Sequence, residues 1–149
     1  MTLRESLTQV DLFRALPDSA LDEIVGRGTT FTLQPGTTLV VEGSNDGGFQ
    51  IVRRGSATVI VNGVERGPVD VGGYFGEMAL IDHHGRSATI VAGPDGVETF
   101  ALSALEFASL MDRYPQIARA LLPVLTARIR AAEAPQPGRG QAAVVRSDE

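Results

Sequence analysis

Glu77 and Arg86 stand nine positions apart in the run Gly73-Tyr74-Phe75-Gly76-Glu77-Met78-Ala79-Leu80-Ile81-Asp82-His83-His84-Gly85-Arg86-Ser87-Ala88-Thr89. The glycine before Glu77 introduces a helical turn whose first amide N–H groups have no intrahelical partner. With the partial positive charge at that end of a helix, they form an anion site. Arg86 can add a forked, charge-assisted pair to two phosphate oxygens, and Ser87 can add a hydroxyl donor. A carboxylate beside a phosphate is repelled, so Glu77 fits only if it accepts from a neutral donor such as a sugar hydroxyl. Together these residue types suit a ribose phosphate. The bland alternatives are an internal Glu77–Arg86 salt bridge in a domain that binds nothing, and a strand-edge hydroxyl at Ser87. His83-His84 are read as a solvated loop, because adjacent side chains point in different directions and neither a cysteine nor a further histidine could complete a metal shell.

The elements that must position this run are punctuated by glycine. Of 17 glycines, 15 lie between Gly26 and Gly96, separating short β-branched runs at intervals of about ten residues, the pattern of a sandwich or barrel. The runs are 29–33, 38–41, 49–52, 57–61, 64–66, 69–71, 88–92 and 97–102, with turns at Pro35-Gly36 and Gly55. Asn62-Gly63 supplies the two positive-φ positions of a type I′ hairpin. Tyr74 and Phe75 are read as core residues. Eight short strands predict a mainly β domain with flanking helices, an antiparallel jelly-roll barrel.

Ahead of the strands, Asp18 is placed as the N-cap of a short amphipathic helix carrying Leu21, Ile24 and Val25, with Gly26 as its stop. After them, Ser103 and Glu106 have capping-box spacing at the start of a helix with Phe107, Leu110 and Met111 on one face. Tyr114-Pro115 predicts a break before a second helix, about Pro115 to Arg130, striped by Leu121, Leu122, Leu125 and Ile129. Pro123 predicts a kink near 119–123. The domain is therefore assigned to residues 1–133 and a disordered tail to residues 134–149.

Composition narrows the function. A chain of 149 residues holds one domain, and 13 arginines against 18 acidic residues give a net charge of -5, which opposes non-specific attraction to nucleic acid or anionic lipid. No lysine and no cysteine occur, so Schiff-base, thiol and disulfide chemistry are excluded. No apolar run reaches the ~20 residues of a membrane span, and the first residues carry no secretory or lipidation signal, so no membrane association and a cytoplasmic location are expected.

The run from Phe75 to Thr89 resembles the phosphate-binding cassette of the cyclic nucleotide-binding domain family, Phe-Gly-Glu-Leu-Ala-Leu, a variable loop, then Arg-Ser/Thr/Ala-Ala-Thr. The likeness extends over roughly residues 10–132, including Leu12-Phe13 with Leu16, Glu42-Gly43 and the strand ending at Gly55. It implies an eight-stranded jelly roll flanked by a short N-terminal helical segment and two C-terminal helices, with cyclic AMP or cyclic GMP as ligand. By the same resemblance Glu77 accepts the ribose 2′-hydroxyl, Arg86 pairs with the cyclic phosphate and Ser87 contacts phosphate or base. Backbone amides of Gly76, Glu77, Met78 and Ala79 complete the cradle. The chain departs from the family pattern at Gly47, Gln50 and Gly85. No aromatic follows Tyr114, so a lid over the base would come from Arg128, Ile129 or Arg130.

The resemblance implies a regulatory module rather than an enzyme, preferring cyclic AMP in the manner of a bacterial, catabolite-activator-like sensor, and signalling through its C-terminal helices. An unidentified effector protein and a homodimer through the last helix are the partners it suggests. Only 16 residues follow Glu133, with two arginines against two acids, so no helix-turn-helix and no direct DNA binding are expected. Two neighbouring histidines also fall short of a cupin-type metal site. The alternative is a degenerate domain that binds no nucleotide and serves as a protein-interaction module.

Overall fold

The computed structural model describes residues 2–43, 48–76 and 88–133. Helix α1 (Leu3–Thr8) leads through a 3-10 turn (Asp11–Phe13) to α2 (Asp18–Arg27). The strands follow as β1 (Thr29–Leu33), β2 (Thr38–Val40), β3 (Phe49–Val61), β4 (Val64–Val69), β5 (Tyr74–Phe75) and β6 (Thr89–Leu102), and the chain ends in α3 (Ala104–Arg113) and α4 (Pro115–Glu133). No described helix is long and apolar enough to cross a membrane.

All pairings are antiparallel within one sheet of order β1-β6-β3-β4, to which β2 adds on β6 and β5 on β3. The described residues thus form six strands, not the expected eight, and no pairing among them closes the sheet into a barrel. Three pairs of the expected runs have fused, because hydrogen bonding continues through the glycine-containing bends instead of stopping at them. Gly55 shows how. At φ +71 it is paired with Val97, and a Cβ there would lie 2.2 Å from the Gly96 carbonyl oxygen, so the bend in β3 depends on the absence of a side chain. The sixth strand, β5, has two residues and therefore no periodicity to detect in the sequence.

Local signals account for most turns and caps. Asn62 (φ 52) and Gly63 (φ 78) make the expected hairpin between β3 and β4. Asp18 is the first residue of α2 rather than its cap, which is Pro17, and the helix runs through Gly26 to end at Gly28. Ser103 caps α3 by accepting from the Glu106 amide at 3.1 Å, but the Glu106 carboxylate turns to Arg27 at 2.8 Å instead of completing the box. The break at Tyr114 is present, and α4 then continues as one helix across Pro123. A capping box that the sequence reading missed sits on α1: Glu5 N–H donates to Thr2 Oγ1 at 3.1 Å and Thr2 N–H to Glu5 Oε1 at 2.8 Å.

The alternation of β3 divides the interior into two cores. Phe49 and Ile51 face the helices and pack with Leu7, Phe13, Ile24, Phe100, Phe107, Leu110, Ile117 and Leu121. Val52 and Ala57 face the other way and pack with Val40, Phe75, Ile90, Ala92 and Val97. Phe49 is the centre of the first core, its ring 4.6 Å from Phe107, 5.4 Å from Tyr74 and 6.1 Å from Phe13.

Candidate functional site: the frame of the phosphate-binding segment

Residues 77–87, which hold the candidate ligands Glu77, Met78, Ala79, Arg86 and Ser87, lie outside the described residues, as do His83-His84 and 134–149. What the structure describes is the frame on either side, built by β5 with Gly76 before the segment and by Ala88 with Thr89 after it.

On the entry side the backbone is pinned to β3. Gly72 N–H donates to the Val52 carbonyl at 3.0 Å, Val52 N–H to that of Gly73 at 2.9 Å, and Tyr74 and Phe75 pair with Ile51 and Gln50. Phe75 is buried in the smaller core, and Gly76 follows at φ +100, where a side chain would be strained. The helical turn expected after this glycine lies outside the described residues.

The exit is tied down by Glu42, a turn residue in the sequence. Glu42 N–H donates to Thr89 Oγ1 at 2.9 Å, and Glu42 Oε1 accepts from the Asn62 N–H at 3.0 Å. One residue therefore joins the first position of β6 to the β3–β4 hairpin. Ala88 packs on the same small core as Phe75, and Thr89 pairs with Ile60. Nothing local in the sequence reveals these links, since their partners are 47 and 20 positions away.

Gln50, a departure from the family pattern, has a partner that explains it. Thr99, fully buried, donates its hydroxyl to Gln50 Oε1 at 3.0 Å. Gln50 is opposite Phe75, and Thr99 is opposite Val52, so this polar pair lies on the face that carries the smaller core. A buried hydroxyl needs an acceptor, and an aromatic or aliphatic residue at 50 would not supply one. The lid candidates Ile129 and Arg130 are exposed on α4.

An open groove of about 300 Å³ occurs elsewhere, where Pro35, Arg54, Gly55, Asp95 and Glu98 meet at the sheet corner. Asp95 and Glu98 stand there beside Arg54, and Glu98 also pairs with Arg53 at 2.8 Å.

The family model described as "Cyclic nucleotide-binding domain" matches residues 30–114, more than half of the chain, and the chain belongs to that family. Over 92 residues it is 36% identical to a cAMP-dependent protein kinase regulatory subunit of Aspergillus niger, covering 60% of this chain and 22% of the relative. Over 89 residues it is 34% identical to a cGMP-dependent protein kinase of Plasmodium berghei, covering 60% of this chain and 10% of the relative. The crystal structure of the Thermus thermophilus catabolite activator protein superposes with a TM-score of 0.73 at 26% identity, covering 83% of this chain and 60% of that one. The chain thus spans less than a quarter of the length of these two curated relatives. Domains of this family are regulatory, and some relatives are enzymes that contain such a domain.

Proposed function

We propose that this chain is a non-enzymatic regulatory module that binds a cyclic nucleotide through residues 76–87 and signals through its C-terminal helices. Glu77 takes the ribose 2′-hydroxyl, Arg86 the cyclic phosphate and Ser87 the phosphate or base, with the amides of Gly76, Glu77, Met78 and Ala79 completing the cradle. The nucleotide-binding unit ends with α4 at Glu133, and the module works in the cytoplasm on an effector protein, without touching DNA or membrane.

The observation that carries the reading is the common anchorage of the segment. Phe75 before it and Ala88 after it pack on one small core, so both flanks of the segment rest on a common support. Holding the two flanks in place lowers the entropy cost of bringing an acid and a guanidinium to one small ligand. The two protein kinase relatives, one named for each nucleotide, match almost equally; the preference for cyclic AMP follows the bacterial type of the domain.

A homodimer through α4 is part of the proposal. Ala118, Leu122, Leu125 and Ile129 follow a four-three-four spacing, Leu122 and Ile129 are 63% and 59% exposed, and the intramolecular contacts use Ile117 and Leu121 instead. Such a stripe suits a second copy of the same helix.

Calorimetric titration with cyclic AMP and cyclic GMP tests the reading. Arg86→Ala should lose about one to two decades of affinity, from ~1.5–3 kcal/mol of charge-assisted hydrogen bonding. Unchanged affinity overturns the cradle. If neither nucleotide binds the unaltered chain, the domain is the degenerate interaction module.

A further inference from the structure

A single carboxylate holds the joint between α2, which precedes the strands in the chain, and α3 and α4, which follow them. Glu23 of α2 has Arg27 Nε 3.1 Å from its Oε2 and Arg113 Nη2 against the same oxygen, while Tyr114 donates its hydroxyl to Oε1 at 3.1 Å. Arg27 reaches on to Glu106 at 2.8 Å. Helix α2 therefore grips α3 at both ends, through Arg27–Glu106 in the first turn and Glu23–Arg113 in the last.

Tyr114 is the one residue between α3 and α4, with φ −126 and ψ 80, so it alone sets the angle at which α4 leaves. Its N–H donates to the Leu110 carbonyl at 2.8 Å, and its own carbonyl accepts from the Ile117 N–H at 2.9 Å. The hydroxyl bond to Glu23 raises the Tyr114 phenol above its ordinary value, assisted by desolvation and the carboxylate's charge. Glu23 Oε2 is shut off from solvent and is held between the two guanidinium groups. A joint of that kind answers to loss of charge at constant shape.

We propose that Glu23 is the latch of the α3–α4 elbow: with Arg27, Arg113 and Tyr114 it fixes the direction of α4, and its release frees α4 as a unit while the sheet stays intact. Any coupling of this latch to ligand rests on the cyclic-nucleotide reading above, whereas the latch itself does not.

Amide hydrogen exchange on the full chain without ligand tests it. In Glu23→Gln, which keeps shape and a hydroxyl acceptor, amides of 114, 117–122 and 124–127 should exchange roughly three- to tenfold faster while those of Ile51 and Phe100 hold their rates. Glu23→Gln/Arg113→Gln should be no faster than the single variant, because both remove one interaction. Tyr114→Phe should give the same pattern at smaller amplitude and serves if the charge variant folds poorly. Unchanged α4 exchange, or equal acceleration in sheet and helices, overturns the latch. In a second arm, saturating cyclic AMP should alter α4 exchange in the unaltered chain and alter it less in Glu23→Gln. An equal response in both detaches the latch from sensing, and no binding by the unaltered chain refutes the nucleotide reading while leaving the first arm valid.

Discussion

The two cores on opposite faces of β3 are built differently. The helix-side core joins four phenylalanines to leucines and isoleucines from every helix and from β3 and β6. The inner core, among the described residues, consists of four valines or isoleucines, two alanines and one phenylalanine, all from strands. Large interlocking side chains make the first a rigid platform, since each has many partners that cannot all adjust. Short side chains on the second leave its shape to the backbone, with polar ties at Glu42, Thr89, Gln50 and Thr99 fixing what packing does not. Among the described residues, the large interlocking side chains are thus on one face, and the other carries Phe75 and Ala88, which flank residues 77–87.

Truncations can break this contrast. Phe49→Ala should cost about 3–5 kcal/mol in urea denaturation, since it empties the point where three rings meet. Val52→Ala, one turn of the pleat away, should cost about 1–3 kcal/mol. Equal losses would mean that packing contributes alike on the two faces.

Gly76→Ala sharpens it further. Forcing a side chain into φ +100 should cost about 1–2 kcal/mol, with the change in exchange rates confined to β5 and its partners on β3. Glu42→Ala removes the acceptor of the Asn62 amide and should cost about 0.5–1.5 kcal/mol, with faster exchange at that amide as the local signature.

The smallest effect lies at the rim of the platform. Hydrogen bonds from Thr2, backbone first and then hydroxyl, hold the Glu5 carboxyl below its usual value. Its folded pKa is depressed, so its stabilising contribution is present above the unfolded value of 4.5 and is lost as pH falls through the folded one. Acid titration followed by amide exchange should therefore loosen α1 as the pH falls below 4.5 and through the depressed folded value, before the sheet changes, and Thr2→Ala should abolish that step.

Features set by a few adjacent residues were legible in the sequence. Asn62-Gly63 must turn because both positions adopt positive φ, and Ser103 must cap because its hydroxyl reaches an amide three residues on. The same logic would have exposed Thr2 and Glu5 as the start of α1. Strand fusion was not legible, because a glycine between two β runs reads identically whether the ladder stops or bends, and only the partner strand decides. The half-formed box at Ser103 has a similar cause: Arg27, 79 positions from Glu106, competes for its carboxylate and wins.

By itself, then, the amino-acid order determined the family motif, the glycine-punctuated β class and the local turns and caps, since each depends on contacts within a few residues. Tertiary structure alone decided that two cores lie back to back, that Glu42 ties the exit of the segment to a hairpin, and that Glu23 joins two helices about a single hinge residue. Those depend on groups far apart in the chain, whose meeting is set by the packing of the whole.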